Sequence, residues 1–100
     1  MPSNNTSQVF FYTYILQSLK DYDNYIGYTP DLRNRFKEHQ KGYSFATKSR
    51  RPFKLIYYEA CLDKDDAKQR EKYLKSTAGR RFLAKRLRHF RANNLVWPRK

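Results

Sequence analysis

The sequence predicts an α+β fold, a small three-stranded antiparallel sheet with flanking helices in the order β-β-α-β-α-α. Two short apolar and aromatic runs, 9 to 16 and 25 to 28, are separated by a polar turn and predict a pair of strands. A segment with helical periodicity follows, and a third strand-like run, 53 to 61, precedes a longer helical region. Since these connections are short, we expect an antiparallel sheet rather than repeated crossover units.

The first two strands are predicted to form a hairpin joined by the polar loop from 18 to 24. Side chains alternate between the faces of a strand, so Tyr12 and Tyr14 share one face of the first strand. In the second strand Tyr25 shares a face with Gly27. A glycine inside a strand usually marks a place where another group approaches the backbone closely. We therefore expect a close approach at Gly27.

A first helix is predicted from about Pro30 to Lys41. Thr29 is suited to cap the free backbone N–H groups, proline fits the first helical position, and Asp31 suits the positive end of the helix dipole. Gly42 is a typical residue to end such a helix.

This helix carries a core-facing stripe with two polar members. Leu32, Phe36 and His39 recur at i, i+4 and i+7, and Arg35 stands at the edge of the same stripe. A guanidinium and an imidazole are therefore expected to point the same way, beside the two strands.

The second helix is predicted to place a carboxylate among apolar side chains. Phe53 to Cys61 is rich in residues that fit a pleated surface and predicts the third strand, and Asp63 is suited to cap the helix that follows. Within that helix Ala67, Glu71 and Leu74 fall at i, i+4 and i+7. A buried unpaired charge is costly, so Glu71 should have a partner, a metal ion or a shifted pKa.

A simpler interpretation of Glu71 is a stripe-edge residue that pairs with Lys75, four residues further on. Such a pair stabilises a helix by only on the order of a few tenths of a kcal/mol. The residues alone favour this simpler interpretation.

Two further segments concentrate positive charge. A loop between the first helix and the third strand contains Lys48, Ser49, Arg50 and Arg51, which suit phosphate oxygens or belong to a solvated connector. A third helix is predicted from about Arg80 to Ala92, with Leu83, Leu87 and Phe90 on its inner face and cations that begin with Arg80 and Arg81. A solvated face, a membrane surface and a nucleic-acid contact compete there, and the narrow apolar stripe makes the membrane the weakest of the three.

Composition restricts the class of protein. One hundred residues predict one domain, taken as residues 9 to 92, between a disordered arm at 1 to 8 and a tail at 93 to 100. The lone cysteine, Cys61, has no partner for a disulfide or a metal knuckle, so a reduced cytoplasmic location is expected. No apolar run predicts a membrane span or a signal peptide. The net charge of +13 points to a polyanion, most often nucleic acid.

The two strands and the first helix resemble the GIY-YIG nuclease family, in particular its small stand-alone, single-domain bacterial members of the UPF0213 type. Tyr12-Thr13-Tyr14 stands at the first motif and Tyr25-Ile26-Gly27 at the second. The spacings from Tyr14 to Tyr25, from Tyr25 to Arg35 and from Arg35 to His39 are eleven, ten and four positions, which match the family. The chain departs from the family pattern at Tyr12, Thr13 and Tyr28, where members carry a glycine, an aliphatic residue and, in some cases, a lysine.

The resemblance implies a set of site residues. Tyr14, Tyr25 and His39 would surround the nucleophile, and Glu71 matches the family's metal-binding glutamate on the helix after the third strand. Arg35 can supply a fixed, bidentate positive charge to phosphate. A lone well-placed acid suits one hard divalent ion, Mg²⁺ or Mn²⁺, which keeps several waters. The base would be a tyrosine whose pKa is lowered by the metal or by Arg35.

The sequence therefore predicts a metal-dependent endonuclease that cleaves DNA, with RNA as the second choice, and that would act in repair or recombination. No small-molecule cofactor and no membrane partner are expected. The alternative from another class is a non-catalytic, basic nucleic-acid-binding module, in which Glu71 is a salt-bridge residue and the basic loop and third helix provide the binding. The substrate structure and the oligomeric state are not readable from the sequence.

Overall fold

A computed structural model describes residues 9 to 93 of the chain. The predicted arm at 1 to 8 and the tail beyond residue 93 lie outside the described residues. This described part of the chain contains, in order, three strands, four helices and one short 3₁₀ turn: β1 Phe11–Ser18, β2 Asn24–Thr29, α1 Leu32–Lys41, the 3₁₀ turn Lys48–Arg50, β3 Phe53–Cys61, α2 Lys64–Lys75, α3 Thr77–Arg86 and α4 Arg88–Asn93.

The three strands form one antiparallel sheet in the order β2-β1-β3. The register pairs Tyr14 with Gly27 on β2 and with Tyr58 on β3. A β-bulge interrupts the pairing of β1 with β3, because Ile15 pairs with Tyr57 and the next residue, Leu16, pairs with Leu55. The predicted α+β architecture is confirmed, and β3 has the predicted bounds.

Each face of the sheet carries its own core. Helix α1 covers one face, where Tyr14, Leu16 and Phe53 are buried with Tyr25, Leu32, Phe36 and Leu55 packed against them. Helices α2 and α3 cover the other, where Ile15, Leu74 and Leu83 are buried with Ile26, Ile56, Tyr57, Phe82 and Leu87 around them. The alternation along β1 assigns these residues to the two faces, as the period of two predicts.

The start of α1 differs from the prediction by two residues. Thr29 is the last residue of β2, and Asp31 is the N-cap, with its carboxylate accepting the N–H of Asn34 at 3.1 Å. Thr29 supports the turn instead, because its hydroxyl oxygen accepts the N–H of Asp31 at 3.1 Å. The helix ends as predicted at Gly42, whose φ of 81° is a left-handed conformation that glycine adopts without strain.

The predicted third helix, Arg80 to Ala92, is wrong in its bounds. Ser76 caps α3 by accepting the N–H of Gly79, so Thr77, Ala78 and Gly79, which precede the predicted start, form the first helical turn. A side chain at Gly79 would overlap the carbonyl of Tyr73, so this glycine permits close packing of two helices. The helix then ends at Leu87, and α4 is a separate helix. Among residues 9 to 93 no helix is long and apolar enough to cross a bilayer.

Candidate active site

Tyr14 lies at the centre of the α1 face, with its ring across Gly27. The two residues are directly paired in the sheet, and a Cβ atom at position 27 would overlap the Tyr14 hydroxyl and ring. The group that approaches Gly27 of the second motif, as expected, is therefore the ring of Tyr14 from the first motif. The absent side chain lets the phenol extend across the edge strand β2.

His39 accompanies Tyr14 in the core of this face. Its Nε2 atom is 2.9 Å from the Tyr14 hydroxyl, and its Nδ1 atom is 2.7 Å from the Thr47 hydroxyl. His39 and Thr47 are both 0% exposed, and Tyr14 is 1% exposed. The three side chains thus form a buried chain of two hydrogen bonds that joins β1, α1 and the loop before β3.

The imidazole of His39 is neutral at physiological pH. Burial, together with the positive charge of Arg35, lowers the pKa of His39 from 6.5 to about 4. A neutral imidazole carries one N–H, so it donates one of its two hydrogen bonds and accepts the other. Two tautomers satisfy the geometry. In one of them Nε2 accepts from Tyr14 while Nδ1–H donates to Thr47.

Tyr25 completes an aromatic wall around the imidazole. Its ring centroid lies 5.2 Å from that of His39 and 6.4 Å from that of Tyr14. The Phe53 ring lies 6.1 Å from His39 on β3. The predicted grouping of Tyr14, Tyr25 and His39 is therefore present in the fold.

Arg35 is held at the rim of this group by two contacts. Its guanidinium pairs with Glu38 at 2.8 Å and donates a longer hydrogen bond to the Ser44 hydroxyl at 3.4 Å. The guanidinium also lies close enough to Tyr14 to lower the pKa of its phenol. Because the side chain is about one-third exposed, a phosphate can reach it.

The pKa of Tyr14 differs from the expected one in direction. Burial raises it from 10.0 to about 12, and the opposing effect of Arg35 is smaller. The expectation that Arg35 lowers the pKa of a site tyrosine below its ordinary value is therefore wrong for Tyr14. The physical reason is the loss of hydration, which disfavours the charged phenolate.

Glu71 lies near the same hydroxyl but already has a partner. Its negative charge contributes to the raised pKa of Tyr14, so the carboxylate acts on the site from α2. Its side chain is 24% exposed, and its carboxylate accepts a hydrogen bond from the Lys75 ammonium at 2.9 Å. The contact with Lys75 is the one expected from the simpler sequence interpretation, and the metal-binding role of Glu71 stays a prediction.

The residues present fit a divalent ion held by one carboxylate. No group of three or more acidic, histidine or cysteine side chains surrounds a metal position among residues 9 to 93. Mg²⁺ usually keeps several waters and takes one or two carboxylates together with substrate phosphate oxygens. The accessible carboxylate of Glu71 suits that mode of binding, in which the substrate completes the coordination.

The loop of cations before β3 is ordered by the β1–β2 hairpin. The hydroxyl of Ser18 donates to the carbonyl of Arg50 at 2.6 Å, and the Arg50 side chain pairs with Asp21 at 3.0 Å. The Lys20 ammonium donates to the carbonyl of Ser49 at 3.1 Å. Lys48 and Arg51 are exposed. Ser49 is exposed as well, whereas Arg50 is tied into the fold by its ion pair and by contact with the Phe53 ring.

The other predicted cations occupy a separate surface. Arg80 and Arg81 lie in the first turns of α3, and both are exposed. This helix packs on the opposite face of the sheet from α1. Within residues 9 to 93 we find no contact that joins these two arginines to Tyr14 or His39.

Two residues of this site were not predicted from the sequence. Thr47 and Ser44 contact His39 and Arg35, yet both belong to a loop without periodicity. A buried threonine in a polar loop gives no periodic signal in one sequence. The one signal in the sequence is His39 itself. A buried imidazole has two ring nitrogens, and each needs a hydrogen-bond partner from elsewhere in the chain.

Comparisons with known proteins agree with this geometry. The model of the GIY-YIG catalytic domain matches residues 10–93. The UPF0213 protein CPE1444 of Clostridium perfringens is 42% identical over 65 residues, which are 64% of this chain and 69% of that protein. The UPF0213 protein YazA of Bacillus subtilis is 42% identical over 71 residues, 70% of this chain and 69% of that protein.

A more distant relative, the UPF0213 protein DP2720 of Desulfotalea psychrophila, is 36% identical over 72 residues, 70% of this chain and 64% of that protein. No solved structure matches the chain. The names of these relatives state no activity. The domain match covers both motif strands, α1 and the helix that carries Glu71. The chain therefore belongs to the GIY-YIG family, a superfamily of nucleases whose members generally use a divalent metal ion.

Proposed function

We propose that this protein is a metal-dependent endonuclease that hydrolyses phosphodiester bonds in DNA, with RNA as the second choice. The observation that carries the proposal is the environment of one phenol. The Tyr14 hydroxyl has a neutral imidazole within hydrogen-bonding distance, a guanidinium that lowers its pKa, and a carboxylate that raises it. These are the groups that phosphodiester hydrolysis requires, and they come from three different elements of the fold, β1, α1 and α2.

Arg35 binds and orients the phosphate. A guanidinium matches two phosphate oxygens at once and neutralises the charge that builds up on them in the transition state. The ion pair with Glu38 and the contact with Ser44 hold this group at the rim. The phosphate is thereby placed over Tyr14 and Tyr25.

The proton of the attacking water passes towards His39 through Tyr14. In the free protein the pKa values of about 12 for Tyr14 and about 4 for His39 keep the proton on the phenol. The Arg35 charge is one cause of the lowered pKa of His39. A phosphate that neutralises this charge raises the pKa of His39 and makes the imidazole a stronger proton acceptor, and it also raises the pKa of Tyr14, which the same charge lowers.

Thr47 sets the direction of this transfer. When Nδ1–H donates to the Thr47 hydroxyl, Nε2 is left to accept the Tyr14 proton. Tyr25 packs against the imidazole and restricts its rotation. Glu71 is the residue that would hold one Mg²⁺ or Mn²⁺ ion. When bound, the ion supplies positive charge that stabilises the phosphate and acidifies water.

Nucleic acid is the partner that the charge favours, since the chain carries 22 Lys and Arg against 9 Asp and Glu. The exposed cations of the loop, Lys48 and Arg51 with Ser49 between them, are proposed to contact the phosphate backbone, as are Arg80 and Arg81 on α3. Arg50 is assigned the same role through the guanidinium N–H groups that its two hydrogen bonds to Asp21 do not use. A single free thiol, Cys61, fits a reducing cytoplasm, and DNA repair or recombination is the proposed setting.

The test is a cleavage assay with Mg²⁺ or Mn²⁺ on linear, nicked, flapped and branched DNA and on structured RNA. We expect metal-dependent cleavage of at least one DNA form. Arg35→Ala and Glu71→Gln should each lower its rate at least about 100-fold. Lys41→Ala on α1 and Asp66→Asn on α2 are matched controls, because both side chains are exposed and neither lies in the site. These controls should stay within about two-fold of the parent protein.

The pairing of Glu71 with Lys75 favours a second function, a non-catalytic nucleic-acid-binding module. Its signature is tight, salt-sensitive binding without turnover and without a metal requirement. Cleavage that is unaffected by both Arg35→Ala and Glu71→Gln would contradict the site proposed here. Binding without cleavage of every form would instead establish the module.

A further inference from the structure

An open pocket lies between the N-terminal half of α1 and the sheet. It is on the side of α1 away from the catalytic group, by which we mean Tyr14, Tyr25, Arg35 and His39. Its volume is about 740 Å³, within the range of roughly 300–1,000 Å³ that holds small organic ligands. Strands β1 and β3 form its floor, and α1 with the preceding turn forms its wall. The nine lining residues are Tyr12, Leu55 and Tyr58 from the strands and Pro30, Asp31, Leu32, Arg33, Phe36 and Lys37 from the turn and helix.

Aromatic rings are exposed within this pocket. The Tyr12 and Tyr58 rings meet edge to face, with centroids 5.9 Å apart and an interplanar angle of 62°. Tyr58 is 53% exposed, and Phe36 lines the opposite wall. Burial of the α1 face already uses Leu32 and Phe36, so an exposed tyrosine on β3 is not required to complete that core. A flat π face beside an apolar wall suits the stacking of a planar ring.

The rim of the pocket is positive. Arg33 and Lys37 are exposed, and neither forms an ion pair with an acid among residues 9 to 93. The single acid of the lining, Asp31, uses its carboxylate to accept the Asn34 N–H as the helix cap. A ligand that combines a flat ring with a negative charge therefore complements both the floor and the rim.

The pocket adjoins the catalytic group through the sheet and through α1. Tyr58 on its floor is the direct cross-strand partner of Tyr14. Arg33 and Lys37 on its rim lie on the same helix as Arg35 and His39. A helix with its side chains is roughly 10–12 Å across, a distance that a few nucleotides of flexible single strand can cover.

We propose that this pocket binds an unpaired nucleotide of the strand being cut, with its base against Tyr58 and Tyr12 and its phosphate against Arg33 and Lys37. The proposal rests on the nuclease function and names its substrate class, nucleic acid with unpaired nucleotides beside the scissile bond. A peptide with an apolar side chain would fit the floor but would not use the two cations. The combination of stacking surface and positive rim favours the nucleotide.

Photocrosslinking tests the proposal without cleavage. A duplex with a short single-stranded extension carries 5-iodouracil at successive positions of the extension, and the protein is the Glu71→Gln variant, so that the strand stays intact. We expect crosslinks at one or two adjacent positions, mapped by mass spectrometry to Tyr58 or Tyr12. Crosslinks that map only outside the nine lining residues would overturn the proposal. An RNA extension run in parallel tells which sugar the pocket accepts.

Matched variants separate stacking from general charge. The parent protein should bind the extended duplex about 10-fold more tightly than the blunt duplex, as measured by fluorescence anisotropy. Tyr58→Leu should bring this ratio to about one, whereas Tyr58→Phe keeps the ring and should keep the ratio within two-fold. Tyr43→Leu is the control, since this tyrosine is 73% exposed beyond the other end of α1. Equal ratios for the parent and Tyr58→Leu proteins would also overturn the proposal.

Failure of the pocket and failure of the nuclease function are distinguishable. If the protein shows no preference for the extended duplex but its cleavage still depends on Arg35 and Glu71, the pocket proposal is wrong and the nuclease proposal stands. If the extension crosslinks to Tyr58 but no substrate is cleaved, the pocket proposal stands and the nuclease proposal is wrong.

Discussion

The two faces of the sheet are built on different principles. The face under α1 buries polar groups that are joined by hydrogen bonds, namely Tyr14, His39 and Thr47. The face under α2 and α3 has an aliphatic core centred on Ile15, Leu74 and Leu83. Alternate residues of the single strand β1 serve both faces.

The difference separates stability from chemistry. Aliphatic burial is non-directional and stabilises the fold in proportion to its area. Buried polar groups stabilise it only while every hydrogen bond is made, and they fix the orientation of each partner. The α1 face is therefore sensitive to small changes of geometry, whereas the α2 face, apart from one buried hydrogen bond from Thr13 to the carbonyl of Ala67, is sensitive mainly to lost volume.

Gly27→Ala is expected to have the largest effect on cleavage, because it breaks the α1 face at its tightest contact. The new methyl group would overlap the Tyr14 phenol and displace it from His39. Cleavage should fall more than about 100-fold, and the free energy of unfolding by about 1–3 kcal/mol. Denaturant unfolding and a cleavage assay measure the two effects. In a Tyr14→Ala background the same substitution should cost little stability, and an undiminished cost would show that another contact is responsible.

Leu74→Ala tests the other face. Leu74 is fully buried on α2, so its truncation should lower the free energy of unfolding by about 2–5 kcal/mol. Cleavage per folded molecule should change less than about three-fold, because Tyr14, Arg35 and His39 lie on the opposite face and only Glu71 comes from α2. Leu74→Met, which conserves volume, is the control and should cost less than about 1.5 kcal/mol. A strong loss of activity at full folding would mean that the faces are coupled.

Thr47→Val sharpens the comparison by removing one hydroxyl from the α1 face at nearly constant shape. His39 would lose the partner of Nδ1, which should cost about 1–3 kcal/mol of stability and lower cleavage roughly 10- to 100-fold. Thr47→Ser keeps the hydroxyl and should restore most of the activity. The ¹⁵N shifts of the His39 ring should report Nδ1–H in the parent protein, and an Nε2–H tautomer there would refute the proposed direction of proton transfer.

Acid should destabilise the α1 face through His39. The imidazole has a pKa of about 4 when folded and an ordinary value near 6.5 when unfolded, so unfolding takes up a proton between these pH values. The stabilising effect is complete above pH 6.5 and is lost as the pH falls towards 4. Between pH 7 and pH 5 the free energy of unfolding should drop by about 2 kcal/mol more in the parent protein than in His39→Gln. Parallel pH curves for the two proteins would show that His39 is not held neutral.

Lys75→Met should have the smallest effect, because its pair with Glu71 lies at the surface edge of α2. The free energy of unfolding should change by less than about 0.5 kcal/mol. The carboxylate would no longer be shared with an ammonium, so the Mn²⁺ concentration for half-maximal cleavage should fall about two-fold. Lys72→Met is the control, because Lys72 is an exposed lysine of the same helix that directly follows Glu71 in the sequence. A rise in the metal requirement would mean that Lys75 assists the ion rather than competes with it.

The sequence was sufficient for the parts of the fold that repeat. Alternation along β1 assigned Tyr14 to one face, and the i, i+4, i+7 spacing placed His39 inward on α1. Residue spacing and the family resemblance together selected the five predicted site residues. Helix ends were less predictable. Thr29 and Asp31 are both able to cap α1, and only the geometry of the turn shows that Asp31 is the N-cap.

Non-periodic contacts account for what the sequence did not predict. The partner of His39 Nδ1 comes from an irregular loop, and no pattern in the chain announces Thr47. The sign of the Tyr14 pKa shift depends on how much water the fold excludes, which outweighs the nearby arginine. The break at Leu87 likewise interrupts an inward stripe that continues in sequence from Leu83 to Phe90.

The hydroxyl of Ser18 ties the β1–β2 hairpin to the loop of cations by accepting two hairpin N–H groups and donating to the carbonyl of Arg50. The backbone of that loop is thus rigid before any ligand arrives. Binding of a ligand then costs little free energy for ordering the loop, so each contact with the ligand contributes more to the affinity. The same rigidity ties the spacing of Lys48 and Arg51 to the length of the hairpin turn, so insertions there should alter which backbone geometry is recognised.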